Sequence, residues 1–360
     1  MPHPHGVHRG RGPSEGEPPM VRPDDRTPTR DVAPSLRALF GREVLGDELT
    51  GQDGKTGARL ERITVDGRSY VLKHLHLADD WVMRATGDLG IRSVLVWQDG
   101  WLDRLPPELD HAVVAAAWDD RPEGRGAVLV MRDVAPHLVP EGDEALPAGQ
   151  HRTFIEHMAG LHATFWGCPT TSGMLPLSTR LLMFGPPLGD TERARHGSDQ
   201  VPTELVPRGW ARLTEREPRT AGIVGALLTD PTPLVTTLAA TPQTFVHGDW
   251  KAGNLGSQPD GRTILLDWAV PGVAPGCYDL AWYVCLNRAR LPETKEATFD
   301  RYRKALEHHG IDTAGWWEQQ LALCLLAVML AFGWEKALGD GDELAWWTRQ
   351  VHAAERWLQP

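Results

Sequence analysis

Three oxygen-bearing side chains, Asp249, Asn254 and Asp267, lie close together on a strand–loop–hairpin pattern. Phe245-Val246 reads as a short apolar strand entering His247-Gly248-Asp249, and Trp250-Lys251-Ala252-Gly253-Asn254 follows. Next comes a hairpin: Leu255-Gly256-Ser257, a turn through Pro259-Asp260-Gly261, and Thr263-Ile264-Leu265-Leu266, which delivers Asp267. Folding that hairpin back places Asp267 beside Asn254. Two carboxylates and a carboxamide suit phosphoryl transfer. That reaction asks little covalent chemistry of a protein; it needs an oriented nucleophile, a cation on the phosphates and in-line geometry. Asp249 is placed to accept a hydroxyl proton, while Asn254 and Asp267 are hard oxygen donors of the kind magnesium takes.

The elements that must position these groups change in character along the chain. Residues 1–33 are rich in Pro, Gly, Arg, Asp and His without apolar periodicity, which predicts a disordered tail in which Met20 is an alternative start. His3, His5 and His8 read as part of that tail rather than as a metal site. Leu36, Leu39 and Phe40 share one face of a short helix. Two strands then flank Asp66-Gly67, a strong hairpin signal, and the return strand carries Tyr70-Val71-Leu72-Lys73. Residues 88–102 read as helix and 127–131 as a wholly apolar strand. From 134 onward the pattern is mostly helical, with an irregular Pro-rich stretch expected over 169–218, a helix over 221–239 and about three helices over 293–358. Strands first and helices later predict an α+β fold in two lobes, with a ligand cleft between them. The expected division is a tail over 1–33, a nucleotide-binding lobe over 34–133 and a catalytic, substrate-binding lobe over 134–360.

His247-Gly-Asp-Trp-Lys-Ala-Gly-Asn254 resembles the H-G-D-x-x-x-x-N catalytic loop of aminoglycoside phosphotransferases and related small-molecule kinases, and it matches the spacing of the protein-kinase loop H-R-D-L-x-x-x-N. Asp267-Trp268-Ala269 resembles the second magnesium aspartate, and Asp279-Leu-Ala-Trp-Tyr283 the D-L-A segment of these kinases. The resemblance spans about residues 50–290. It implies a protein-kinase-like bilobal fold, with an antiparallel sheet plus helix in the small lobe. It also implies an ATP-dependent phosphotransferase acting on a small-molecule hydroxyl, with ATP, or GTP in its place, and Mg2+ as cofactors.

Residue by residue, the resemblance makes Asp249 the catalytic carboxylate, Asn254 and Asp267 the magnesium ligands, and Asp279 a buried buttress of the loop. Lys251 would touch the γ-phosphate, and Lys73, in a strand like V-A-I-K, the α and β phosphates. Gly51-Gln-Asp-Gly54-Lys55-Thr56-Gly57 lies where this fold places its phosphate-covering loop. The strand ending at Met131 resembles the last strand before the hinge: Met131 as gatekeeper, with the Arg132 carbonyl and the Val134 N–H toward adenine. The family's small-lobe Glu, the partner of the strand Lys, has no counterpart in Gly90-Ile-Arg-Ser93-Val-Leu-Val-Trp97; Asp88 and Asp99 are the nearest acids and the sequence does not choose between them.

Rival chemistries fail on spacing. Leu49 stands where a Walker A motif ending in Gly54-Lys55-Thr56 needs glycine, and Glu156, His157 and His162 do not form H-E-x-x-H. Eleven residues between Asp267 and Asp279 leave no room for a protein-kinase activation loop. A pseudokinase binding module would lack one of Lys73, Asp249, Asn254 and Asp267, and all are present. A net charge of −11 argues against nucleic-acid binding and suits a cationic substrate. Four cysteines without a C-x-x-C pair, no apolar leader and no bilayer-length apolar run predict a cytoplasmic protein, monomeric or homodimeric, with reduced thiols and no membrane partner. The substrate readings are an antibiotic, such as an aminoglycoside or nucleoside antibiotic, or a metabolite: a sugar, amino sugar or amino alcohol. Residues 282–287 are candidate substrate contacts; the acids Glu335, Asp340, Asp342 and Glu343 read first as a solvated loop and second as a site for ammonium groups; most of Trp316, Trp317, Trp334, Trp346 and Trp347 are better explained as core packing.

Overall fold

A computed structural model describes residues 30–49, 58–169, 172–196 and 201–358 of the chain. Gly54, Lys55, Thr56 and Gly57, like most of the N-terminal tail, lie outside the described residues. In chain order the elements are α1 (Leu36–Phe40), β1 (Asp47–Glu48), β2 (Arg59–Val65), β3 (Arg68–His76), α2 (Trp81–Ala85), α3 (Arg92–Gln98), β4 (Leu109–Asp110), β5 (Val113–Trp118), β6 (Gly126–Arg132) and α4 (Ala148–Thr164). Then come α5 (Leu177–Leu182), α6 (Pro187–His196), α7 (Val201–Arg216), α8 (Pro218–Thr229), α9 (Thr232–Ala239), β7 (Thr244–Val246), β8 (Leu255–Ser257), β9 (Thr263–Leu265) and β10 (Gly272–Ala274). The chain finishes with α10 (Cys277–Leu286), α11 (Lys295–His308), α12 (Trp317–Leu338) and α13 (Gly341–Ala354).

The first lobe is a twisted sheet in the order β1-β2-β3-β6-β5. Asp66 (φ 50°) and Gly67 (φ 76°) make the tight turn between β2 and β3, the left-handed pair that matches strand twist in a two-residue hairpin. That turn fixes the register, and Lys73 pairs with Leu60 on one side and Leu129 of β6 on the other. One face of the sheet buries Ile63, Val65, Leu72, Val128 and Val130 beneath Leu36, Leu39 and Phe40 of α1. The other face joins the main core, which runs on into the helical lobe.

A seam joins the lobes. β4 pairs in parallel with β9, and Thr263 N–H donates to the Glu108 carbonyl at 2.8 Å. Val139 N–H donates to the Leu255 carbonyl at 2.9 Å, and Gln258 Nε2 to Asp110 Oδ2 at 2.7 Å. The two-lobe α+β expectation holds. The long apolar helix α12 has the length and hydropathy of a membrane span, yet 78% of its apolar window is buried against its neighbours.

Three expectations change. The stretch 169–218 is not irregular, since α5, α6 and α7 occupy much of it. Its prolines stand mainly at helix starts, Pro187 in α6 and Pro218 in α8, where a missing N–H costs nothing. Pro207 does lie inside α7, so the Thr203 carbonyl four residues earlier loses its helical donor, and Arg193 Nη2 donates to it instead. Residues 88–102 are not one helix either: Ile91 is left-handed (φ 57°), Leu89 is 75% exposed, and only Arg92–Gln98 is α-helical there. The run 221–239 is two helices, divided where Asp230 and Pro231 end α8 and start α9.

Candidate active site

The loop 247–254 leaves β7 and is held from below by α10. The Asp279 carboxylate, in the first turn of α10 and fully buried, accepts the N–H groups of His247 and Gly248, each at 2.8 Å. His162 Nε2 donates to it at 3.2 Å. Burial pushes the Asp279 carboxyl up, but the His162 hydrogen bond and the positive neighbours win and hold it below the usual carboxylate range. Farther along, Asn287 Oδ1 accepts the Ala252 N–H at 2.9 Å.

Gly248 has φ 84°, and a Cβ there would lie 2.1 Å from Arg180 Nη1 and 2.3 Å from the Val270 carbonyl. Arg180, on α5, is wholly buried, and its Nη2 donates to that carbonyl at 2.6 Å. His247 ties the loop to the hairpin: its Nε2–H donates to the Leu266 carbonyl at 2.9 Å, and its Nδ1 accepts the Asp249 N–H at 3.2 Å. Those two bonds define the neutral tautomer, and burial lowers the imidazole pKa in the same sense.

The polar side chains converge on this scaffold. Asp249 Oδ1 accepts from Trp282 Nε1 at 2.8 Å; Asp249 Oδ2 accepts from Asn254 Nδ2 at 2.8 Å and faces Lys251 Nζ at 2.9 Å. Leu266 N–H donates to the Asn254 carbonyl at 2.9 Å, so the hairpin brings Asp267 next to Asn254 as the sequence implied. Asp267 adopts φ 62°, a left-handed backbone that costs a non-glycine residue about 1–3 kcal/mol and persists only where the surroundings over-determine it. Its Oδ1 takes Lys73 Nζ from β3 at 2.6 Å. Burial would raise the Asp267 carboxyl, but Lys73 and Lys251 outweigh it and keep the group ionised at a lowered pKa.

Beside this cluster a small cavity of about 70 Å³ opens between the sheet and the hairpin. Leu60 and Val71 come from β2 and β3, Met131, Arg132 and Val134 from the end of β6 and its continuation, and Leu266 immediately precedes Asp267. Met131, Arg132 and Val134, assigned to adenine from the sequence, therefore line one slot together with Leu266.

The acids flanking α3 do not hold Lys73. Asp88 accepts the Arg92 N–H at 2.9 Å and lies 3.7 Å from its guanidinium, and Asp99 interacts with Arg104. Ser93 Oγ donates to the Trp268 carbonyl at 2.9 Å. Lys73 pairs with Asp267 itself, and a second buried acid, Asp80, interacts electrostatically with both. Asp80 caps α2, accepting the Val82 and Met83 N–H groups, and burial pushes its carboxyl up to about 6. An aspartate ahead of Trp81-Val82-Met83 is a helix-start signal that would have found it.

Three of the C-terminal acids make contacts within the protein. Glu343 pairs with Lys295 at 2.7 Å and with Trp347 Nε1, Asp340 caps α13, and Glu335 faces Lys336 at 2.8 Å. Trp317, Trp334 and Trp347 are buried. Asn287 is also buried and holds the loop, so it is not poised for a substrate. Among the described residues no cluster of three or more His, Cys, Asp or Glu side chains suits a metal ion.

The model of the phosphotransferase enzyme family APH matches residues 52–317. No curated protein matches the chain. Among solved structures, aminoglycoside-3′-phosphotransferase of type VIII is 23% identical, with 82% of this chain and 97% of that one covered and a TM-score of 0.48. Choline kinase LicA from Streptococcus pneumoniae is 13% identical, covering 90% and 95%, with a TM-score of 0.48. A microcompartment-associated aminopropanol kinase is 14% identical, covering 88% and 93%, with a TM-score of 0.47.

Proposed function

The chain belongs to the APH phosphotransferase enzyme family, and from that premise we propose that it moves the γ-phosphate of ATP to a hydroxyl of a small molecule, with Asp249 as catalytic carboxylate. The observation that carries this reading is the convergence of two bonded groups, Asp249 with Asn254 and Lys251, and Asp267 with Lys73, joined by the Leu266 N–H to Asn254 carbonyl bond, with Leu266 lining the slot that also holds Met131, Arg132 and Val134. The division of labour follows the lobes: residues up to about Asp133 hold the nucleotide, and those after it carry the acceptor chemistry.

Asp249 orients the acceptor hydroxyl and takes its proton as the oxygen attacks phosphorus. Lys73 moves from Asp267 to the α and β phosphates, and Lys251 offers its ammonium to the γ-phosphate. The Arg132 carbonyl and the Val134 N–H face adenine, with Met131 at the back of the slot. Asn254 uses its amide nitrogen on Asp249, so its Oδ1 is the atom to ligate a cation, and the Asp267 carboxylate is the second hard donor. This pair fits Mg2+, which when bound neutralises phosphate charge. The glycine loop around Gly54, Lys55, Thr56 and Gly57 is proposed to cover the phosphates.

The acceptor is proposed to be an antibiotic, an aminoglycoside or nucleoside antibiotic first, with a sugar, amino sugar or amino alcohol as the second class. The test is magnesium-dependent ATP consumption across a panel of both classes, with Asp249→Asn alongside. We expect turnover on one class and a loss of about 10²–10⁴-fold in the variant. Tight nucleotide binding without turnover of any hydroxyl compound would replace the enzyme reading with a binding module. Efficient turnover of a common metabolite alone would remove the antibiotic.

A further inference from the structure

Helix α10 works on the loop 247–252 at three successive places. Asp279 takes the N–H groups of His247 and Gly248, Trp282 reaches the Asp249 carboxylate, and Asn287, just past the helix end, takes the Ala252 N–H. Every residue of the helix from Cys277 to Cys285 is buried, so the helix cannot shift without disturbing the core. The central contact differs in kind from the other two. It touches the reacting group, not the backbone.

We propose that Trp282 is a positioning residue for phosphoryl transfer: its indole N–H fixes the plane of the Asp249 carboxylate that receives the acceptor proton. An indole has one donor and no acceptor. Trp282 is 2% exposed, and its N–H is directed to the Asp249 carboxylate. The ring itself is locked, edge-on to Phe332 at 4.7 Å between centroids and against Tyr278 at 5.7 Å. A carboxylate tethered only by Asn254 and Lys251 at Oδ2 could swing about its own axis; the bond at Oδ1 removes that freedom. Oδ1 keeps a second lone pair, and Oδ2 regains one when Lys251 turns to the γ-phosphate. One of these takes the proton when the acceptor O–H bond breaks, its oxygen bonds to the γ-phosphorus, and the bond from that phosphorus to the β–γ bridging oxygen breaks to release ADP. Trp282 neither gives nor takes a proton in this step.

The inference rests on the proposed kinase chemistry for its kinetic arm and on geometry alone for its second arm. Trp282→Phe keeps the ring and deletes the donor. It should lower kcat about 10–100-fold while KM for ATP stays within about twofold, because only the aim of the base has changed. Phe332→Leu loosens the packing of the same ring and leaves the donor, and should hold kcat within about threefold. Equal losses in the two variants, or an unaltered kcat in Trp282→Phe, would overturn the proposal. The second arm needs no substrate. In 15N-indole spectra the Trp282 resonance is the one missing from Trp282→Phe, and it should move when Asp249→Ala removes its acceptor. A resonance that stays in place sinks the proposal even if the kinase reading stands. If no hydroxyl compound is turned over, the kinase reading fails, and the resonance alone decides whether Trp282 holds Asp249.

Discussion

The loop that carries Asp249 and the strand that carries Lys73 face each other across one cleft and are held in opposite ways. Around the loop, backbone N–H groups at 247, 248, 249, 252 and 254 all find acceptors within the protein, three of them on buried α10-side carboxylate or amide oxygens. Lys73 instead leans on Asp267, a residue the proposed reaction needs for something else. Its other acidic neighbour, Asp80, is itself disfavoured as an anion by burial. The loop is built before any ligand arrives. The lysine is held in a contact it must give up.

The sharpest way to break this contrast is Asp279→Ala. It orphans two buried N–H groups and the His162 donor, and should cost about 3–5 kcal/mol of stability in urea unfolding while also removing ATP turnover. Lys73→Met should behave the other way round. We expect kcat/KM for ATP to fall about 10²-fold, near 2.7 kcal/mol of transition-state stabilisation, with an unfolding midpoint much closer to wild type than that of Asp279→Ala.

Asp80→Asn tests the sign of the charge held near Lys73. Its folded pKa, about 6, lies above the 3.8 of a free carboxyl. The folded state therefore favours the protonated acid, and the resulting stability is fully present below about pH 4 and lost as pH rises to about 6. Asparagine keeps the helix cap and removes that loss. The variant should gain about 1–3 kcal/mol in urea melts at pH 7.5 and nothing at pH 4. A gain of equal size at both pH values would mean that Asp80 ionises normally. Asn287→Ala should cost least, about 1 kcal/mol, from the unpaired Ala252 N–H.

How far the sequence revealed this arrangement follows the same division. The hairpin through Asp66-Gly67 and the loop 247–254 with Asp267 were legible, because turn chemistry and fixed local spacing specify them. What surrounds them was not. Arg180 meets Val270 from ninety residues away, and no local pattern records that contact. Helix α2 has five residues, too few to show a period. The segment after Pro169 misled because proline content was read as a sign of irregular chain, whereas the prolines sit mostly at helix starts and Arg193 compensates the one inside α7. The acids near α13 were judged by charge alone; the Lys295 partner of Glu343 comes from a distant helix, while Asp340 caps α13 locally.

The seam between β4 and β9 has a mechanical consequence. It ties the sheet to the catalytic hairpin on the side of β4 and β5, while β1 closes the opposite end of the sheet order. Hydrogen exchange is therefore expected to be slowest along that tied margin, beside Asp110, and faster at the β1 margin beside Leu49.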